Sequence, residues 1–211
     1  MNKIFAIGDI HGCFDKLHAL MEKVPIDFKH DRLIFLGDYI DRGPDSFKVV
    51  EFLINLKKKY SNTVFLKGNH EEMLELYFKG IGMMNFVENG GRQTLESYSR
   101  HAEGNATDLI PQSHLDFFQS LLLFYETENY IFVHAGLKKG ISLEKQKTED
   151  LLWIRKNFIR TKYKFKKRVI FGHTYFEEPL IQPNKIGIDT GAVYGNKLTC
   201  IELPDIKFYQ V

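Results

Sequence analysis

This sequence has little of several features that would place a protein in a specialised class. Among its 211 residues there are two cysteines, Cys13 and Cys200, which lie near opposite ends of the chain. No apolar stretch approaches the roughly 18 residues that a membrane-spanning helix needs. The formal net charge is +2, which is too small to argue for a nucleic acid or an anionic membrane as a partner. We therefore expect neither partner.

Signals of a multidomain or exported protein are also missing. There is no internal repeat, low-complexity segment or Pro/Gly-rich linker, and 211 residues suit one domain, so we expect a single catalytic domain over 1–211. Apolar residues make up 44% and charged residues 27%, as in ordinary globular proteins. The first residues run straight into a predicted strand, so we expect no signal peptide. We therefore expect a cytoplasmic location, in which the two cysteines would be reduced.

The most informative stretch is the apolar run at 33–36, which is followed at once by Gly37 and Asp38. Four apolar residues in a row are typical of a short strand buried on both faces. Asp38 would then stand at the carboxyl end of that strand, the edge where open α/β sheets bind ligands. The same pattern of a strand with a polar tip recurs at 4–7, 63–66, 130–133 and 168–171.

Apolar residues at helical spacing follow several of these runs. They predict helices over 14–24, 47–57, 73–77, 93–99, 115–122 and 148–160, with further strands at 185–188, 198–202 and 207–209. Strand–helix alternation over about the first 80 residues favours a parallel sheet with right-handed crossovers. Between 79 and 114 we expect a turn at 89–91, the short helix at 93–99 and polar loop, and Ser113 with Asp116 resembles a capping box. The whole pattern predicts a mixed sheet, or two packed sheets, with helices outside.

The strand tips carry groups that bind metal ions. A single buried histidine, or a single aspartate after a strand, is usually structural, but recurrence at five tips makes that explanation improbable for the set. Carboxylate, amide and imidazole ligands suit Mn, Fe or Zn better than Ca. Even six of these seven groups are too many ligands for one catalytic ion, and they fit two ions about 3.5–4 Å apart that share a carboxylate. The tip residues are Asp9, His11, Asp38, Asn69, His70, His134 and His173.

The order of these motifs resembles that of the calcineurin-like metallophosphoesterases. Within that family the chain is similar to the phosphoprotein phosphatase branch, especially the small phage-lambda-type and bacterial serine/threonine phosphatases, and to the symmetrical diadenosine tetraphosphate hydrolases. The resemblance implies an α/β fold: a β-sandwich of two mixed sheets flanked by helices. The motifs are Gly-Asp-Ile-His-Gly at 8–12, Gly-Asp-Tyr-Ile-Asp-Arg-Gly at 37–43, Gly-Asn-His-Glu at 68–71, His-Ala-Gly at 134–136 and Gly-His-Thr at 172–174.

The resemblance also implies a role for each motif residue. Two divalent ions, expected to be Mn²⁺ with Fe or Zn as alternatives, would share Asp38. The first ion would be held by Asp9, His11 and Asp38, and the second by Asp38, Asn69, His134 and His173.

Other residues would act on the substrate. His70 takes the place of the general acid, with Asp41 as the carboxylate that orients it. Arg42 takes a phosphate-binding place, and Arg155 lies in a segment that supplies a second phosphate-binding arginine. Lys67 stands where relatives often have arginine, so we expect it near the substrate with a looser grip on phosphate.

These roles describe a phosphomonoester hydrolase in which a metal-bridging hydroxide attacks phosphorus directly and His70 protonates the leaving group. Our first hypothesis is a serine/threonine protein phosphatase that acts on a phosphorylated protein or peptide. The alternative is a dinucleoside polyphosphate hydrolase, such as a diadenosine tetraphosphate hydrolase, which would take a small phosphoester. A module that only binds phosphorylated partners is disfavoured because every catalytic position is filled. A nuclease is disfavoured because no basic groove stands out.

Overall fold

The computed structural model describes residues 2–102 and 109–211, in which ten strands form two five-stranded sheets. The strands are β1 (Ile4–Ile7), β2 (Arg32–Phe35), β3 (Thr63–Phe65), β4 (Phe124–Glu126), β5 (Tyr130–Val133), β6 (Arg168–Phe171), β7 (Leu180–Gln182), β8 (Lys185–Gly187), β9 (Thr199–Leu203) and β10 (Lys207–Gln210). The first sheet has the order β10-β9-β1-β2-β3 and the second the order β4-β5-β6-β8-β7.

Both sheets are mixed, but their antiparallel strands lie at different places. In the first, β1, β2 and β3 run parallel, while β9 pairs antiparallel with β1 and with β10. In the second, β5, β6 and β8 run parallel, while β4 and β7 lie antiparallel at the two edges. The prediction of two mixed sheets is confirmed. Because the parallel strands of one sheet point the same way, their carboxyl ends meet at one edge.

The core explains why the strands read as unbroken apolar runs. Alternate residues of β2 point to opposite faces: Ile34 packs between the two sheets, whereas Leu33 packs toward the helices. In the second sheet Ile170 joins the same central layer, and Val169 packs on the outer side. Both of these central strands, β2 and β6, are thus buried on both faces, as expected for sheets covered by helices.

Helices cover the outer faces of both sheets. They are α1 (Phe14–Lys23), α2 (Ser46–Lys59), α3 (Asn69–Phe78), α4 (Met83–Phe86), α5 (Arg92–Ser99), α6 (Gln112–Gln119), α7 (Thr148–Trp153) and α8 (Lys156–Ile159). Leu17 and Leu53 bury α1 and α2 against the first sheet, and Leu151 and Phe158 bury α7 and α8 against the second. No helix within 2–102 or 109–211 combines the length and apolar character that crossing a membrane requires.

Two helix predictions are corrected. The predicted helix over 148–160 is two short helices, because the backbone at Arg155 leaves helical geometry with φ −127° and ψ −102°. The predicted capping box at Ser113 is wrong, because α6 already begins at Gln112 after Pro111, and Ser113 therefore lies inside the helix. Asp116 instead accepts a hydrogen bond from the Gln112 side chain at 2.7 Å.

The short helix predicted at 93–99 is confirmed as α5, but the segment before it, predicted to be polar loop and a turn, is also largely helical. A π-helical turn over Val87–Gly91 joins α4 to α5, and Gly90 within it has a left-handed φ of +103°. Phe86 and Tyr98 from this region are buried in the core of the first sheet and its helices. The part of the predicted loop at 103–108 lies outside the described residues. Two strands, β4 and β7, were not predicted.

Candidate metal centre

The structure brings the strand tips together where the two sheets meet. Asn69, the first residue of α3 after β3, has its side-chain oxygen 3.0 Å from His134 Nε2 at the end of β5. The Asp9 carboxylate, just after β1, accepts a hydrogen bond from the backbone N–H of His173 after β6, at 3.0 and 3.1 Å. The His134 and His173 rings lie edge to face with centroids 4.9 Å apart. Tips of both sheets thus form one buried cluster.

Asp38 lies at the centre of this cluster. One carboxylate oxygen is 3.5 Å from His11 Nε2 and 3.9 Å from His70 Nε2, and the other is 3.4 Å from His134 Nε2. The possible ligand atoms form two trios, His11–Asp38–His70 and Asp38–His134–His173, and within each trio all lie within 4.8 Å of one another. Because Asp38 belongs to both trios, it is placed to touch two ions at once.

Backbone carbonyls orient the histidines. His11 Nδ1 lies 2.8 Å from the carbonyl oxygen of Ile40, and His134 Nδ1 lies 2.9 Å from that of Leu36. A carbonyl can only accept, so each Nδ1 carries a proton and each ring turns Nε2 toward Asp38. This is the arrangement that proteins use to fix metal-binding histidines.

The chemistry of the cluster fits a pair of divalent cations. His173 Nε2 is buried with no hydrogen-bond partner among the described residues, which leaves a lone pair facing Asp38 and His134. Burial lowers the pKa of His11 to about 3 and that of His173 to about 2, so both rings are neutral at pH 7. Burial and the nearby charge of Asp189 raise the pKa of Asp9 well above its usual range, a cost that a bound cation would offset. The His and Asp groups are therefore compatible with a dinuclear metal site.

Asp9 lies on the His173 side of the cluster, and His70 lies on the His11 side. The first trio contains His70 in the place expected for Asp9, whose carboxylate is held on the His173 side by the backbone N–H. His70 Nδ1 also lies 2.6 Å from an Asp41 carboxylate oxygen, and the other Asp41 oxygen accepts a 2.6 Å hydrogen bond from the Thr94 hydroxyl. The hypothesis of an orienting carboxylate thus has the contact it requires, and Thr94 in α5 supports it without having been predicted.

Each of the two arginines contacts a different trio. Arg42 donates a 2.7 Å hydrogen bond to His11 Nε2, beside the first trio. Arg155 donates a 2.9 Å hydrogen bond to the carbonyl oxygen of His173, beside the second. The break between α7 and α8 falls at Arg155, so this side chain leaves the helix surface and reaches the cluster.

Lys67 does not join these residues. Its ammonium forms a 2.6 Å ion pair with Glu75 of α3 and lines a surface cavity together with Phe78 and Phe118. A side chain committed to Glu75 on that face is not available to a phosphoryl group at Asp38. The expectation that Lys67 contacts the substrate is therefore not supported by its position.

Glu71 is a member of the centre that the sequence reasoning missed. It is fully buried, and its carboxylate accepts hydrogen bonds from the backbone N–H groups of Asp38 at 3.0 Å, Tyr39 at 2.8 Å and Gly68 at 2.9 Å. It thereby ties the loop after β2 to the loop before α3. Its partners are backbone amides, which leave no pattern in the sequence; the only available signal was an acid directly after the predicted His70.

The backbone around the centre is strained. Among the described residues, only six non-glycine residues have a left-handed φ, and five of them are Asp38 and four residues of the cluster around it. Such a conformation costs an L-residue roughly 1–2 kcal/mol, and it persists where the surrounding contacts impose it, often at functional sites. The five are His11, Asp38, Asp41, Arg42 and His173, with φ between 47° and 72°.

Comparison with known proteins places this geometry in a family. A profile of the calcineurin-like phosphoesterases matches residues 2–198. The bis(5′-nucleosyl)-tetraphosphatase PrpE (asymmetrical) of Oceanobacillus iheyensis is 30% identical over 234 residues, covering 99% of this chain and 92% of that protein. The protein of the same name from Bacillus mycoides is 27% identical over 230 residues, covering 97% and 92%.

Solved structures share the fold. A crystal structure of a protein proposed to be a diadenosine tetraphosphatase superposes with a TM-score of 0.77 at 23% identity, covering 100% of this chain and 93% of that one. A protein serine/threonine phosphatase from Saccharomyces cerevisiae gives a TM-score of 0.65 at 19% identity, covering 96% and 72%. These identities establish the architecture alone, and the profile establishes the family. The chain therefore belongs to the calcineurin-like phosphoesterases and is a phosphatase-type hydrolase.

Proposed function

We propose that this chain hydrolyses dinucleoside tetraphosphates asymmetrically, to a nucleoside triphosphate and a nucleoside monophosphate. The observation that carries this proposal is the similarity to PrpE tetraphosphatases along 99% of the chain and 92% of the relative. It favours the alternative of our sequence analysis over the first hypothesis, a serine/threonine protein phosphatase. The similarity to the yeast protein phosphatase, at 19% identity, supports the fold and not that substrate.

The proposed metal site uses the tip residues of both sheets. Asp38, central to both trios, would be shared between the ions, and Mn²⁺ suits the mixed oxygen and nitrogen ligands. When bound, two such ions would polarise the phosphoryl group and lower the pKa of a water molecule. The ligands proposed for the pair are Asp9, His11, Asp38, Asn69, His134 and His173.

The other residues would handle the substrate. Arg42 contacts His11 in the first trio and Arg155 contacts His173 in the second. From these places each guanidinium could donate two parallel hydrogen bonds to phosphoryl oxygens. His70 Nε2 faces Asp38 while Asp41 holds Nδ1. A nearby phosphate anion would raise the pKa of His70, so that Nε2–H could donate a hydrogen bond to the departing oxygen, or a proton where the leaving group is an alkoxide, while Asp41 stabilises the imidazolium.

The reaction balances as a hydrolysis. One water adds to the α-phosphorus of one nucleotide, the bond from that phosphorus to the bridging oxygen breaks, and the bridging oxygen leaves with the nucleoside triphosphate. No covalent intermediate with a protein side chain is required, and neither cysteine belongs to the cluster: Cys200 is buried in the core beneath α1 and α2.

The test is a comparison of substrates with Mn²⁺-loaded protein. Diadenosine tetraphosphate should show a higher kcat/KM than a phosphoserine peptide, and chromatography should resolve ATP and AMP in equal amounts. ADP as the sole product would contradict asymmetric cleavage. Faster turnover of the phosphopeptide would return the protein phosphatase hypothesis to first place. Glu75→Gln, which changes a charge in α3 outside the cluster, provides a matched control that should retain the wild-type preference.

A further inference from the structure

Two exposed tyrosines stand at the edge of the metal centre. The side chain of Tyr194 is 62% exposed and that of Tyr175 is 46% exposed, and their ring centroids lie 6.0 Å apart at an interplanar angle of 71°. Tyr175 follows His173 by two residues, so it belongs to the loop that carries a proposed metal ligand. A pair of aromatic faces left open beside a phosphate-hydrolysing centre can bind the part of a substrate that is not phosphate.

These rings are held in place rather than loosely attached. Tyr194 ends a short turn in which its backbone N–H donates to the Gly191 carbonyl at 2.9 Å. The ammonium of Lys16, on α1, donates to the carbonyl oxygen of Ala192 at 3.0 Å and to that of Asn196. Tyr175 packs directly on Gly191, where a Cβ atom would come within 2.4 Å of the ring. A preformed surface loses little conformational entropy when a ligand binds.

Tyr194 lies close to the phosphate end of the site. Its ring centroid is 5.7 Å from Arg42 Cζ, and Arg42 in turn contacts His11. A substrate phosphate gripped by Arg42 would therefore have the Tyr194 ring as its neighbour. In a dinucleoside tetraphosphate only the ribose separates the α-phosphate from the base, whereas the inner phosphates lie further from the base.

We propose that Tyr194, with Tyr175 beside it, forms the stacking surface for the nucleobase attached to the reacting α-phosphate. This inference rests on the proposed function and names the substrate group that the edge of the site recognises. It also supplies a physical reason for asymmetric cleavage, because a base bound next to Arg42 brings the α-phosphorus to the centre. Aromatic stacking tolerates any base, since every base has a π-face, so adenine and guanine dinucleotides should bind similarly.

The decisive experiment compares two ligands that differ only in the base. Calorimetry on the Mn²⁺-loaded protein measures the Kd of AMP and that of ribose 5-phosphate. Stacking on one aromatic ring corresponds to about a 5- to 150-fold gain in affinity, and wild type should prefer AMP by a factor in this range. Tyr194→Leu should remove most of that preference, whereas Tyr194→Phe, which keeps the ring, should retain it.

Two further variants complete the design. Tyr175→Leu tests the second ring without removing the ring that faces Arg42. It should weaken the binding of AMP more than the binding of ribose 5-phosphate. Tyr163→Leu alters a tyrosine of similar exposure, 44%, which lines a different surface cavity with Leu143 and Phe165. It should leave both Kd values unchanged. Melting temperatures of all variants verify that each one is folded.

The outcomes separate this inference from the proposed function. Equal Kd values for the two ligands in wild type, or an undiminished AMP preference in folded Tyr194→Leu, would overturn the base site even if diadenosine tetraphosphate is hydrolysed. A base preference that depends on Tyr194 in a protein that does not hydrolyse the tetraphosphate would support the base site and overturn the proposed function instead.

Discussion

Glu71 should be essential for the stability of the metal centre although it is not proposed to touch an ion. Its carboxylate accepts three backbone hydrogen bonds, two through one oxygen, from Asp38 and Gly68, and one through the other, from Tyr39. Glu71→Gln preserves the shape of the side chain. An amide has one oxygen, so at least one of the three N–H groups must face an NH₂ group that cannot accept.

The size of the effect follows from these contacts. Losing one charge-assisted hydrogen bond in a buried position costs about 1.5–3 kcal/mol, and the two that remain lose the charge that strengthens them. We expect the free energy of unfolding to fall by about 3 kcal/mol. For a chain of this length that corresponds to a fall in Tm of roughly 6–12 °C. Asp38 loses a fixed backbone contact, so metal affinity should fall as well.

The assay is thermal unfolding of the metal-loaded protein at pH 8. Burial and the charge of Asp38 raise the pKa of Glu71 to about 7. Bound cations would offset the charge of Asp38, so at this pH the carboxyl of the metal-loaded wild type is ionised and its charge is not opposed by Asp38. Glu75→Gln on the same helix is the matched control. It removes a partly exposed ion pair with Lys67, which is worth at most about 1 kcal/mol. If Glu71→Gln and Glu75→Gln have the same Tm, the three backbone hydrogen bonds do not contribute the stability assigned to them.

Three further variants test the proposed roles. Asp38→Asn should retain the fold but lower the metal content, measured by elemental analysis, below two ions per chain. Two tightly bound ions in this variant would show that a group other than Asp38 is shared between the ions. Arg155→Ala should weaken inhibition by inorganic phosphate roughly tenfold, the loss expected from one charge-assisted contact, and an unchanged inhibition constant would remove Arg155 from the site. His70→Asn should slow phosphoserine-peptide hydrolysis by ~10²–10⁴-fold yet spare p-nitrophenyl phosphate, whose leaving group needs no proton. Parallel losses on the two substrates would refute His70 as the acid.

The part of the fold that positions the centre could be predicted from sequence. The prediction of β1 at 4–7 matches the strand Ile4–Ile7, and that of β6 at 168–171 matches Arg168–Phe171. Both strands are buried on both faces, and a strand buried in this way has a continuous run of apolar residues. The polar residue after each run was therefore placed at a strand tip, and the parallel strand order brought those tips together.

What could not be predicted depends on contacts between distant residues. The edge strands β4 and β7 have three residues each, too few to show a period, and the central residue of β7, Ile181, is 55% exposed. No glycine or proline marks the break at Arg155, which coincides with a contact to His173. Gly90 indicated a turn, but its left-handed geometry lies within a helical segment that packs on Arg42.

The left-handed residues around the centre have a consequence for comparing relatives. At Arg42 or His173, glycine would relieve backbone strain, so selection for stability alone favours its appearance there. A relative that kept the sandwich but no longer needed the reaction would be expected to drift toward glycine at such positions. A non-glycine residue that is kept at such a position, despite the unfavourable backbone conformation, would thus indicate continued selection for activity. Glycine at these positions in a relative would therefore be the expected sign of a lost activity, and sequences of inactive members would test it.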